Sequence, residues 1–133
     1  MRDGFWIQLG AVWGFLAVAI GAFGAHGLKD RLSELGQVAN FQTATHYHMY
    51  CALAILAVGA VALSGRSGTA VTLAGWSFFI GSLIFSGSLY VMGVTGARWL
   101  GAITPIGGVI MLVGWAALAV AAGAQPFKAP GSS

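Results

Sequence analysis

The stretch FWIQLGAVWGFLAVAIGAFGA, from Phe5 to Ala25, carries no charged side chain. At 1.5 Å per residue, about 20 helical residues cross about 30 Å of hydrocarbon, so its length and composition predict a membrane-spanning helix. Three further apolar runs clear the same threshold: Ala44 to Ser64, Ala70 to Val94 and Thr104 to Ala122. A cleaved signal peptide is the rival reading of the first run, since Ala22-Phe23-Gly24-Ala25 offers small residues. Its apolar core is longer than the usual h-region, however, and Asp3 offsets Arg2. Four spans are expected, in one domain covering residues 1–133.

Composition agrees. Of 133 residues, 58% are hydrophobic and 7% charged, and the mean hydropathy is +0.85, which no soluble globular surface matches. The net charge of +3 comes from scattered Arg2, Lys29, Arg31, Arg66, Arg98 and Lys128. No basic stripe follows a phosphate backbone, so nucleic acid is excluded as a partner. With an N-terminus inside, three cations fall on each side, a tie under the positive-inside rule. The expected location is a bacterial inner membrane, with the orientation left open.

Between the first two spans, Leu28, Leu32, Leu35, Val38 and Phe41 recur every three or four residues, opposite Lys29, Asp30, Arg31, Glu34 and Gln37. This pattern predicts a short amphipathic helix over about 28–41, lying in the headgroup region and running into span two. Gly65-Arg66-Ser67-Gly68 reads as a tight turn. Gly96 to Ile103, with Arg98 beside Trp99, reads as a surface-hugging connection. Thr104-Pro105 reads as N-cap and first helical residue of span four, and residues 124–133 as a flexible tail.

The chain has 21 glycines, each costing about 1 kcal/mol against alanine in an exposed helix. Close helix packing explains them. Gly10, Gly14, Ala17, Gly21 and Gly24 are spaced by four, three, four and three, which keeps one seam of small residues facing a neighbour. Gly107, Gly114, Ala117 and Ala121 repeat the device in span four, and Gly75, Ser82, Ser86 and Gly93 in span three. The expected fold is all-α: a compact integral membrane four-helix bundle with a short interfacial helix after span one.

Polar side chains gather in the half of the bundle away from the termini. His26, His48, Ser86, Ser88, Tyr90 and Thr104 belong there, with Gln42, Thr45, His46 and others. Within a bilayer such groups need partners in the protein or trapped water, so they imply a hydrogen-bonded network or a small wet cavity. His48 draws the eye, because residues 48, 52, 55, 59 and 62 trace one stripe facing the bundle. The bland reading is an interhelical hydrogen bond; the sharper one is a ligand or proton site.

Metal or haem ligation by His26, His48 and Cys51 meets no recognised spacing, since His46 and His48 diverge on a helix. No metal or cofactor is expected. Asp3, Asp30 and Glu34, the whole carboxylate set, lie outside the spans, which disfavours catalysis and carboxylate-driven proton coupling.

Three motifs point further: Gly24-Ala25-His26-Gly27-Leu28, Phe85-Ser86-Gly87-Ser88-Leu89-Tyr90, and Leu100 to Gly108 (LGAITPIGG), followed by Gly114-Trp115. In this order they resemble the DUF423 membrane proteins, which are similar to transmembrane protein 256. One departure is Cys51, where relatives usually carry histidine, with His48 a turn earlier. The resemblance implies a small polytopic membrane protein and carries no activity. The expected function is a non-enzymatic structural or accessory subunit that associates with membrane lipids, a larger membrane complex or its own copies. The alternatives are a small-solute channel or carrier with a polar cavity opposite the termini and, more weakly, a metal or redox protein.

Overall fold

The computed structural model describes residues 4–66, 68–123 and 131. The tail expected over 124–133, Gly131 apart, lies outside the described residues, as do Arg2, Asp3, Ser67 and Lys128. Among the described residues all regular structure is helical: α1 (Phe5–His26), α2 (Lys29–Glu34), α3 (Val38–Leu63), α4 (Thr69–Thr95), a 3-10 helix (Arg98–Ala102) and α5 (Thr104–Gly123). Four of these segments are long and apolar enough to cross a membrane, the last counted together with the 3-10 turn. The protein is an integral membrane four-helix bundle.

The amphipathic segment is broken where a single helix was expected. Gly36 has φ +67°, a conformation that glycine adopts without steric cost. Its N–H bonds the Ser33 carbonyl, and the N–H of Gln37 bonds the Leu32 carbonyl at 2.8 Å. These two bonds form a Schellman cap, which satisfies the last carbonyls of α2 and stops it. The chain re-enters helix at Val38, so α3 starts six residues before Ala44. The turn also rotates the apolar stripe: Leu32 and Phe41 are buried while Val38 is exposed. Gln37, assigned to the polar side by periodicity, is buried in the turn and accepts a hydrogen bond from Asn40 Nδ2.

Arg31 ties α2 to the C-terminal end of α4, its Nε–H donating to the Val94 carbonyl at 3.1 Å. That carbonyl belongs to the last turn of α4, where a helix has no N–H donors of its own to offer and where a cation is favourably placed. The expectation for Thr104 was a cap on α5. Its hydroxyl instead meets Ser88 and the Leu100 carbonyl, because α4 packs close enough to offer a partner inside the bundle.

The long helices pack in chain order, α1 on α3, α3 on α4 and α4 on α5, with slight contact between α3 and α5. Glycine sets how closely they approach. A Cβ on Gly10 would sit 3.0 Å from the Ala52 carbonyl oxygen, and one on Gly21 2.8 Å from Thr45 Cγ2, so the α1 seam faces α3. Gly14 sits more loosely, 3.6 Å from Ala52 Cβ by the same measure. Gly24 receives the ring of Phe41, and Gly75 on α4 the ring of Trp6. A Cβ on Gly107 would strike the α4 backbone itself, at the Gly81 carbonyl and the Phe85 amide, and Gly114 lies on Phe78. Ile55, Val58, Ala74 and Phe78 are fully enclosed at the centre.

Candidate functional site

The antiparallel α3 and α4 bring His48 opposite Tyr90, with Nδ1 and the phenol oxygen 2.8 Å apart. Four residues earlier on α4, Ser86 donates to the Ala44 carbonyl at 2.6 Å. Both bonds cross the helix pair, and both histidine and serine are 1% exposed. Trp13 of α1 closes the site: its ring centroid lies 4.2 Å from that of His48, and its indole N–H donates to Ser82 Oγ at 2.9 Å. Ser82 in turn donates to the Phe78 carbonyl one turn back on α4. The Nε2 atom of His48 is buried and meets no group in hydrogen-bond geometry, although the Trp13 backbone faces the ring. A cavity of about 160 Å³ adjoins this cluster, walled by Leu16, Ile20 and Leu83 as well as its aromatic members.

Ser88 and Thr104 form a separate pair, their hydroxyls 2.7 Å apart across α4 and α5. His26 stands apart from both, exposed in the last turn of α1. The six polar candidates therefore fall into a His48–Tyr90 cluster with Ser86 beside it, a Ser88–Thr104 bridge, and a lone surface histidine. Cys51 is buried with its Sγ 3.3 Å from Met111 Sδ, and among the described residues no three His, Cys, Asp or Glu side chains gather as a metal site would require. Burial of a weakly polar thiol against a thioether is the behaviour of a small core hydrophobe.

Trp13 and Ser82 escaped the sequence reading as site residues. A tryptophan inside an apolar run reads as lipid-facing or core, and Ser82 read as one of a row of small packing residues. The signal was present: Trp6, Gly10, Trp13 and Ala17 are spaced by four, three and four, which puts both indoles beside the glycine seam. Two wider clefts flank the bundle. One, of about 440 Å³, lies between α1, α2 and α3 with Lys29, Gln42 and His46 among its walls. The other, of about 470 Å³, lies where α3 and α5 part and is lined by Tyr47, Tyr50, Phe85 and Trp115.

The model of a family described as a protein of unknown function, DUF423, matches residues 20–108. The chain belongs to the DUF423 family. All six polar candidates fall inside the matched region. Among curated relatives, a UPF0382 membrane protein of Staphylococcus epidermidis is 48% identical over 115 residues, covering 86% of this chain and 92% of the relative. The UPF0382 membrane protein YwdK of Bacillus subtilis is 47% identical over 118 residues, covering 87% and 94%. A Staphylococcus saprophyticus relative of the same description is 46% identical over 114 residues, covering 86% and 92%. No solved structure matches.

Proposed function

We propose that this DUF423 protein is a non-enzymatic accessory subunit of the membrane, holding to lipid or to a larger membrane complex by the outer faces of α1 and α5. One observation carries the reading. The interior hydroxyls are engaged between helices or with their own backbone, as at Ser86–Ala44 and Ser88–Thr104, whereas large apolar side chains project outward from both flanking helices. Phe15 on α1 is 72% exposed and Leu112 on α5 68%. Interior polarity then serves packing, and recognition falls to the outside. The described carboxylates, Asp30 and Glu34, are exposed on α2, away from that interior.

A pull-down of tagged protein from its own membranes in mild detergent or native nanodiscs tests this, with mass spectrometry of what co-purifies. A stoichiometric membrane protein supports the accessory role; recovery of the chain with itself and bulk lipid alone counts against it.

A second reading, a small-solute carrier, is favoured by the unpartnered His48 Nε2 beside the 160 Å³ cavity. Flux into liposomes that falls in His48→Ala or Ser86→Ala protein, with folding retained, would favour it; absence of flux in the wild type would remove it.

A further inference from the structure

The cleft between α1, α2 and α3 sets a cation that the packing does not use beside apolar residues that it does. Gly21, Gly24 and Ala25 withdraw the α1 wall, the Phe41 ring lies over Gly24, and Leu32 reaches in from α2, leaving about 440 Å³. Around this apolar floor stand Lys29, Gln42 and His46, all exposed. Among the described residues the Lys29 ammonium has neither an ion pair nor a hydrogen-bond partner. No carboxylate lines the cleft; Asp30 and Glu34 share α2 with Lys29 but do not reach it.

Height matters as much as charge. Lys29 opens α2, the interfacial helix, and His46 lies eight residues into α3 from Val38, about 12 Å along the axis. Lys29 therefore stands at the α2 end of the cleft beside Ala25 and Val38, while Gln42 and His46 line it further along α3. A free phosphate would meet the cation but cover none of the apolar wall; a phospholipid presents its phosphate to Lys29 and its glycerol and first methylenes to Ala25 and Val38, the exposed apolar residues of the lining. We infer that this cleft is a binding site for the phosphate headgroup of an anionic membrane lipid. The inference deepens the lipid side of the proposed function and rests on it, but it concerns the isolated chain.

Native mass spectrometry of purified protein tests it, comparing phosphatidylglycerol with phosphatidylcholine of identical acyl chains. The wild type should retain phosphatidylglycerol preferentially, and Lys29→Gln should lower that retention roughly fivefold, the factor corresponding to one cation near an anionic surface. Arg98→Gln, which removes an exposed cation from the 3-10 helix, should leave it unchanged. Equal losses in the two variants, or no headgroup preference in the wild type, would overturn the site in favour of diffuse surface charge. Displacement of the lipid by millimolar inorganic phosphate would overturn it in favour of a soluble anion. These measurements need no partner protein, so their failure is distinguishable from an empty pull-down.

Discussion

His48 Nδ1 and the Tyr90 hydroxyl lie 2.8 Å apart although 42 positions separate them in the chain. The contact joins the two central helices at one polar point inside an apolar interface. Tyr90→Phe keeps the ring and removes the hydroxyl, leaving both imidazole nitrogens without a partner. A loss of about 0.5 to 2 kcal/mol is expected, the scale of interhelical hydrogen bonds in membranes. Reversible unfolding in mixed micelles measures it, and an unchanged midpoint would show that the bond contributes nothing.

The Ser88–Thr104 pair allows a cleaner measurement, because both side chains truncate with little change of shape. A double-mutant cycle of Ser88→Ala and Thr104→Val should return a coupling energy of about 0.6 kcal/mol, and at most about 1.7. Strict additivity would mean that each hydroxyl is satisfied by a nearby backbone carbonyl alone, Ser88 by Phe85 and Thr104 by Leu100 of the 3-10 helix.

Gly107 and Gly87 should respond oppositely to the same methyl group. At Gly107 a Cβ meets α4 backbone, which cannot rotate away, whereas at Gly87 it meets nothing within 4 Å. Gly107→Ala is expected to cost about 1 to 3 kcal/mol, as overpacked sites do, and Gly87→Ala to be neutral or slightly stabilising through helix propensity. Thermal denaturation of both in one detergent decides it; equal effects would remove the backbone contact as the cause.

At Gly36 the constraint is conformational and space is open, since φ is +67° and no atom lies near a built Cβ. Gly36→Ala should cost about 1 kcal/mol for entering the left-handed region, and Gly36→Asn less. Hydrogen exchange of the α2 amides is the readout. Identical protection in the two variants would mean that the cap does not set the end of α2.

The spans were legible because hydrocarbon demands length and low charge, and four runs supply both. The glycine rows were legible as seams, yet their partners were not: spacing says that Gly10 and Gly21 share a face, not that Ala52 and Thr45 lie across from it. Gly36 shows a different limit. The period of Leu28, Leu32, Leu35, Val38 and Phe41 continues through the cap, so counting apolar residues cannot detect a turn that a single glycine dictates. The candidate site was half legible. Six polar residues in one half of a bundle were read as one convergence, but helix rotation divides them, and the indole that completes the His48 cluster comes from a residue whose type suggested only burial.

The serine and threonine hydroxyls have a chemical polarity of their own. Ser82 and Thr45 donate to carbonyls of their own helices and Ser86 to a carbonyl of α3, so each hydroxyl proton is already engaged and what these oxygens still offer is lone pairs. These hydroxyls are thus acceptors toward any newcomer, and the spare proton of the core lies elsewhere, on the His48–Tyr90 pair. A guest meeting these hydroxyls must bring protons to share, as a water, an alcohol or an amine does.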